Sequence, residues 1–164
     1  MKLPRWIMIL FAVSMLVGCG SQPERLKEVP VSSGEEDAYQ TSVFAQSRAE
    51  WEQQAAQGDM TSQRKLGVMY LLGQGLDVDY DRALEYFNQA AGQGEDIAQY
   101  QLGMMHAAGK GVTESNVQAH MWLGLAARQG NAYAQKHLDT LAEQMTAAEI
   151  GEAQKLADAW EPTL

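Results

Sequence analysis

Apolar residues follow two distinct patterns along this 164-residue chain. Residues 6–17 form one uninterrupted apolar run, whereas from residue 39 onwards apolar side chains recur at intervals of three and four positions. The second spacing places them on one side of an α-helix. The pattern therefore predicts an all-α domain over residues 37–164, preceded by an N-terminal segment of a different kind.

The helical part repeats itself at an offset of 36 residues without a gap. Residues 55–90 align with residues 91–126, and a third copy begins at Ala127. A fixed period of this length is typical of stacked helical repeats. We place the repeats at 59–94 and 95–130, with partial repeats at both ends. Identical residues occur in all three copies at Gln57, Gln93 and Gln129, at Gly58, Gly94 and Gly130, and at Leu66, Leu102 and Leu138.

Each repeat is predicted to contain two helices. In the first helix, Leu66, Met69 and Tyr70 form the buried stripe. Gly67 and Gly103 lie in the middle of this helix, where glycine costs about 1 kcal/mol relative to alanine. Their recurrence predicts that a neighbouring helix comes close at these positions. The stripe of the second helix comprises Ala83, Tyr86, Phe87 and Ala90, matched in the next copy by Ala119, Trp122, Leu123 and Ala126.

Residues that favour helix ends also recur at the repeat period. Gly73 and Gly109 are expected to end the first helices in a left-handed conformation. Asp79 and Ser115 are expected to cap the N-termini of the second helices, and Ser115 with Gln118 fits a capping box. The ends of the helices are therefore predicted as well as their buried faces.

The segments outside the two full copies complete the helical array. Residues 39–57 resemble a lone second helix, and residues 131–144 a first helix. Thr146 and Glu149 have the spacing of a capping box that opens a last helix, which ends before Pro162. This helix departs from the 36-residue pattern, as a terminal capping element does. Its predicted buried side comprises Ile150, Ala153, Leu156, Ala157 and Trp160.

The repeating residues resemble the Sel-one-like repeat, a relative of the tetratricopeptide repeat. The resemblance covers roughly residues 47–138 and implies a short right-handed α-solenoid of antiparallel helix pairs with a C-terminal capping helix. It also implies that the first helices line a concave face. Ser62, Leu76, Tyr86, His106 and Ser115 depart mildly from the family pattern. The first copy matches at Leu66-Gly67, Tyr70, Gly73, Gly75, Asp79, Ala83, Ala90-Ala91 and Gly94, and the second at Ala98, Leu102-Gly103, Gly109, Gly111-Val112, Ala119, Trp122, Ala126-Ala127 and Gly130.

The N-terminal apolar run has the features of an export signal. Lys2 and Arg5 precede it, and its 12 residues are fewer than the about 20 that a membrane-spanning helix needs. The run leads into residues 16–19 (LVGC), which resemble the lipobox of bacterial lipoproteins. The resemblance implies cleavage after residue 18 and lipidation of Cys19. An ordinary secretory signal with a chance cysteine is the alternative.

Cys19 is the only cysteine of the chain, so its lipidation would leave no disulfide, thiol nucleophile or cysteine-ligated metal. Removing residues 1–18 takes the net charge from −9 to −11, because they carry two cations and no acid. An acidic domain repels nucleic acid and anionic lipids. Residues 19–36, with two prolines and few large apolar side chains, are predicted to form a flexible tether. The expected membrane attachment is therefore the lipid anchor alone.

Residues that could support catalysis, metal binding or nucleotide binding lack the required spacing. The three histidines do not occur three or four positions apart on one helix, as a zinc site would require. The aspartates at 77, 79 and 81 resemble the start of a calcium loop that lacks its glycine and distal glutamate. No catalytic residue, metal or cofactor is expected, and the chain is predicted not to be an enzyme. The histidines are His106, which is expected to be a core or semi-core residue, His120 and His137.

On the first helices, one stripe of residues lies outside the repeat pattern and differs in chemistry between copies. We predict that this stripe faces a partner, with Tyr100 and Met104 as the main contacts. Arg64, Lys65 and Lys136 would surround them with positive charge and favour an acidic or carboxylate-bearing partner. The alternative is that Tyr100 packs into the adjacent helix pair. The predicted partner-binding residues are Arg64, Lys65, Val68, Tyr100, Gln101, Met104, Lys136 and His137.

These features together predict a membrane-anchored protein–protein interaction module of the bacterial cell envelope. Gly20, rather than aspartate, follows the cysteine, which by the sorting rule for lipoproteins implies the outer membrane facing the periplasm. The alternatives are an immunity or inhibitor lipoprotein, which a neighbouring toxin gene would favour, and a cell-wall-active enzyme. Incubation with peptidoglycan would test the enzyme alternative through released fragments.

Overall fold

A computed structural model describes the backbone of residues 33–163 and the side chains of residues 42–163. The predicted signal segment, Cys19 and most of the tether lie outside these residues. The described part of the chain contains seven helices and no strand, which confirms the all-α prediction. They are α1 (Ser33–Ala55), α2 (Met60–Leu72), α3 (Tyr80–Gly92), α4 (Asp96–Ala108), α5 (Asn116–Arg128), α6 (Ala132–Ala142) and α7 (Ala147–Asp158).

Helix α1 begins at Ser33, four residues before the predicted start of the helical domain. The sequence contains no proline between Pro30 and Pro162, so no proline breaks a helix in this region. The last four residues of the predicted tether are therefore helical.

The helix ends follow the predicted pattern closely. Gly73 and Gly109 end α2 and α4 with φ angles of +68° and +61°. The side chains of Asp79 and Ser115 accept the backbone N–H groups three residues further on, as N-caps do. Thr146 and Glu149 form the complete capping box. At Ser115 only the serine half of the predicted box is present, since Gln118 contributes its backbone N–H.

Consecutive helices pack against each other from α1 to α6, whereas α7 packs mainly against α5. The terminal helix thus leaves the nearest-neighbour order of the repeats, as predicted for a capping element. Trp160, just beyond α7, meets Trp122 edge-on with ring centroids 6.4 Å apart. Leu156 is 37 % exposed, which corrects its assignment to the buried side, because α7 meets its neighbours through the small residues Ala153 and Ala157.

The core contains most of the predicted stripes, but Tyr86 and Trp122 are half-buried, and Leu84, Met121 and Leu125 are buried although the stripes did not include them. Leu66, Phe87, Leu102 and Leu123 are at most 1 % exposed. The close approach at the mid-helix glycines is also confirmed. A Cβ atom on Gly67 would lie 2.7 Å from the ring of Phe87, and one on Gly103 would lie 2.7 Å from Cγ of Leu123. Glycine is therefore needed here because the second helix of the same repeat occupies the space of a side chain.

Candidate interaction groove

The predicted partner-binding residues lie on α2, α4 and α6, the first helices of the successive repeats. We call the side of these helices that carries them the first-helix face. Most of these side chains are half-buried, and Lys136 is exposed. Val68, Tyr100 and Met104 also pack against core clusters, so a partner would contact the parts of these side chains that remain exposed.

Met104 lies between two adjoining cavities of this face. The α2–α4 cavity has a volume of about 260 Å³, and the α4–α6 cavity a volume of about 240 Å³. Leu71, Tyr100, Gln101, Met104, Met105, Ala108 and Lys110 line the α2–α4 cavity. Met104, Ala107, Glu114, Asn116, Leu123, His137, Thr140, Leu141 and Gln144 line the α4–α6 cavity. Four of the predicted residues, Tyr100, Gln101, Met104 and His137, therefore line these two cavities, which share Met104.

Tyr100 combines the two roles that the sequence left open. It packs against the core cluster of Leu123, Ala126 and Ala134, and its ring centroid lies 5.7 Å from that of His137. Its ring also forms part of the wall of the α2–α4 cavity. The residue therefore links two repeats and still contributes surface to the groove.

Arg64 does not contribute a free positive charge to the face. Its Nε atom lies 2.8 Å from Oε1 of Glu95. Burial raises the pKa of Glu95, while the backbone N–H of Ala98 and the guanidinium of Arg64 act in the opposite direction. This carboxylate caps α4 and compensates Arg64 at the same time. The predicted positive ring therefore loses one of its three members.

The lysines of the described residues behave differently from the arginines. Each of the four arginines lies within 4 Å of a carboxylate, whereas no lysine in residues 42–163 makes an ion pair. Lys65 lies over the ring of Trp51 at 5.2 Å, and Lys110 over that of Tyr80 at 5.8 Å. Together with Lys136, these side chains border the first-helix face. The face therefore carries uncompensated positive charge within an acidic protein.

Sequence reasoning missed the groove residues that lie outside the first helices. Lys110 and Glu114 come from the loop after α4, and Asn116 begins α5. The loop is set by Gly109 and Gly111, whose φ angles of +61° and +68° turn the chain back beside α4. The glycine spacing indicated a tight turn, but not which side chains the turn would bring to the cavities.

The three histidines lie on different helices. His106 is on α4 and half-buried, as predicted, and burial lowers its pKa. His120 is on α5 and His137 on α6. Within the described residues, no group of three histidine, cysteine or acidic side chains could hold a metal ion. A search of the same part of the chain for a helix long and apolar enough to span a membrane found none.

Stacked antiparallel helices with a groove along the first helices define an α-solenoid repeat protein. The Sel1 repeat model matches residues 61–95 and 96–131. The chain therefore contains two Sel1 repeats, which confirms the repeat resemblance identified from its sequence. Members of this family generally act as protein–protein interaction modules and are typically not enzymes.

Two solved structures are similar to this fold. The protective antigen c5321 of uropathogenic Escherichia coli, which displays an SLR fold, is 29 % identical with a TM-score of 0.67. The match covers 69 % of this chain and 24 % of that one. A Sel1 repeat protein from Oxalobacter formigenes is 22 % identical with a TM-score of 0.57, covering 78 % and 53 %. The chain thus spans about a quarter and about half of these proteins. The comparison with curated proteins gave no match.

Proposed function

We propose that this protein is a lipid-anchored interaction module of the bacterial cell envelope, which holds a protein or peptide partner along the first-helix face. The observation that carries the proposal is the pair of cavities on either side of Met104. Extended concave surfaces of repeat stacks are suited to peptide recognition. Two neighbouring cavities can take two side chains of one bound segment, with Met104 adapting its flexible side chain between them.

The charge of the face favours a partner that carries carboxylates beside apolar side chains. Lys65, Lys110 and Lys136 make no ion pair. An oppositely charged partner would be attracted to them during association and would form ion pairs with them once bound. Glu114 at the edge of the α4–α6 cavity is the exception on this face. The acidic residues of the bound segment are therefore expected nearer to the α2–α4 cavity, which Lys110 borders.

The test compares partner capture by variants of the groove in crosslinked cells. The double variant Tyr100→Ala, Met104→Ala removes the apolar contacts, and Lys136→Glu reverses an exposed charge. Both are expected to lose the partner that wild type captures. Lys155→Glu is the matched control, since it makes the same charge change on α7, away from the face, and should retain the partner.

Thermal unfolding of the same variants separates binding from folding. Tyr100 also contacts the core, so the double variant counts only if its melting temperature stays near that of wild type. Lys136 is exposed, so its variant gives an answer that does not depend on packing. Retention of the partner by Lys136→Glu and by a folded double variant would rule out the first-helix face.

Membrane attachment is proposed from the lipobox at residues 16–19. The variant Cys19→Ala is expected to abolish metabolic labelling with a palmitate analogue and release the protein from membranes. Gly20 supports an outer-membrane position facing the periplasm, which a sucrose-gradient separation of the two membranes tests. Label that persists in the variant would contradict lipidation at Cys19, and protein in the inner-membrane fraction would contradict the predicted position.

A further inference from the structure

A third cavity, of about 200 Å³, lies between α5, α6 and α7. None of the residues that line it belongs to the first-helix face. Its walls include His120 and Gly124 of α5 and Gln154 of α7, together with Ala127 and Gln135. In the two earlier copies, the counterparts of Ala127 and Gln135 are joined by a hydrogen bond.

In both earlier copies, a buried glutamine carboxamide bridges two groups. Gln63 donates from Nε2 to the carbonyl oxygen of Ala55 at 3.2 Å, and its Oε1 accepts from Gln93 at 2.8 Å. One period later, Gln99 donates to Ala91 at 3.3 Å and accepts from Gln129 at 2.8 Å. We call this arrangement the carboxamide clasp.

The third copy has the same alanine and glutamine but no clasp. Gln135, the counterpart of Gln63 and Gln99, is exposed and donates from Nε2 to Oδ1 of Asp139 at 2.7 Å. The carbonyl oxygen of Ala127 receives the backbone N–H of Gly130 but no side-chain amide. The cavity is therefore lined by Ala127, whose counterparts Ala55 and Ala91 each accept a side-chain amide at the carbonyl oxygen.

His120 adds an imidazole ring to the same cavity. Its side chain is 6 % exposed and makes a hydrogen bond with its own backbone. Its counterpart in the preceding copy is Leu84, which is apolar. Burial lowers the pKa of His120, so the imidazole is neutral at pH 7 and can donate from one nitrogen and accept at the other.

We propose that this cavity binds a carboxamide group, whose N–H donates to the carbonyl of Ala127 and whose oxygen accepts from the His120 ring or the Gln154 amide. A carboxylate fits less well, because it cannot donate to Ala127 and because the nearby cation, Arg128, already pairs with Asp158 at 2.6 Å. The volume is below the roughly 300–1,000 Å³ of sites for drug-sized ligands. The ligand is therefore a small amide or the side chain of a glutamine or asparagine. This site is independent of the proposed partner groove.

The test follows the imidazole signals of His120 by NMR while the full-length chain is titrated at pH 7 with propionamide and, separately, with propionate. Propionamide is expected to give a saturable shift in the millimolar range, on the order of what such a small fragment reaches. Propionate is expected to bind at least about tenfold more weakly, since it keeps the shape but loses the donor. No saturable shift with propionamide, or equal binding of both probes, would overturn the proposal.

Variants locate the probe. A Cβ atom on Gly124 or on Gly151 would meet no atom within 4 Å, but only Gly124 lines the cavity. Gly124→Leu is expected to weaken propionamide binding at least tenfold, and Gly151→Leu to leave it unchanged. His120→Leu restores the residue of the preceding copy and should also weaken propionamide binding. It takes the place of Gly124→Leu if that variant fails to fold, and its binding is then followed at the backbone amide of Gly124. Unchanged binding in a folded variant of either cavity residue refutes the site.

Two amide sources are distinguished by a peptide. Stronger binding of Gly-Gln-Gly than of propionamide assigns the carboxamide to a peptide side chain, and the reverse order assigns it to a free small amide. Gln135→Ala removes the internal carboxamide that could enter the cavity, so it is expected to strengthen binding of either probe. Weaker binding in Gln135→Ala would contradict the proposed role of the empty clasp.

Discussion

Replacing Gly67 with alanine should destabilise the protein, although alanine inside a helix is normally more stable than glycine. The new Cβ atom would lie 2.7 Å from Cδ1 and Cε1 of Phe87 and 3.0 Å from Cζ. The ring of Phe87 is fully buried, so it cannot turn away into solvent. Overpacking of this kind costs about 1–3 kcal/mol, whereas the gain in helix propensity is about 1 kcal/mol.

Gly124→Ala is the matched control for this prediction. It is also a glycine inside a helix, but its Cβ atom would meet nothing within 4 Å. The propensity gain is common to both variants and cancels, so their free energies of unfolding should differ by the overpacking cost of about 1–3 kcal/mol. For a domain of this size, each kcal/mol corresponds to roughly 3–5 °C in melting temperature.

The assay is urea and thermal unfolding of wild type and the two variants. We expect Gly124→Ala to melt above wild type and Gly67→Ala to melt about 3–15 °C below Gly124→Ala. Gly103→Ala repeats the test one period later, where Leu123 Cγ lies at 2.7 Å. Equal stabilities of the Gly67 and Gly124 variants would show that helix contact does not require glycine at this position.

Three further substitutions test individual contacts. Burial lowers the pKa of His106, so the folded state binds a proton less readily than the unfolded state. Stability is therefore lost as the pH falls below about 6.5. Between pH 7.5 and 5.5, the melting temperature of His106→Tyr should fall less than that of wild type, and an equal fall would contradict this. Thr146→Ala removes the capping box of α7 and should cost about 1 kcal/mol in urea unfolding, whereas no change would mean that α7 does not depend on its cap. Gln129→Ala leaves the buried Oε1 of Gln99 without a donor and should cost about 1–3 kcal/mol, while the exposed control Gln135→Ala should cost almost nothing; similar losses would refute a stabilising clasp.

The candidate groove was predicted in outline but not in its contacts. Subtraction of the repeat pattern assigned Tyr100, Met104 and His137 to one face, because residues three and four positions apart share a side of a helix, and these residues line the two cavities. It could not show that Arg64 pairs with Glu95 or that Lys110 lines a cavity. Those contacts join different helices or a helix and a loop, which periodicity within one helix does not describe.

Sequence alone determined the helices, their order and most of their ends, although not the start of α1. The 36-residue period, the left-handed glycines and the capping residues are encoded within a few neighbouring positions, because backbone conformation and capping bonds are local. Leu156 shows the limit of such patterns, since it falls on an apolar stripe and is still exposed.

The tertiary structure decided which residues at equivalent repeat positions differ in burial and in hydrogen-bond partners. Gln99 and Gln135 occupy equivalent positions, but Gln99 is fully buried in a clasp with Gln129 and Gln135 is exposed. Their own helices do not distinguish them. The clasp needs a glutamine 30 residues further along the chain, and the repeat pattern supplies none for Gln135 because α7 departs from it. Only the packing of α5, α6 and α7 shows that an open cavity lies beside this side chain.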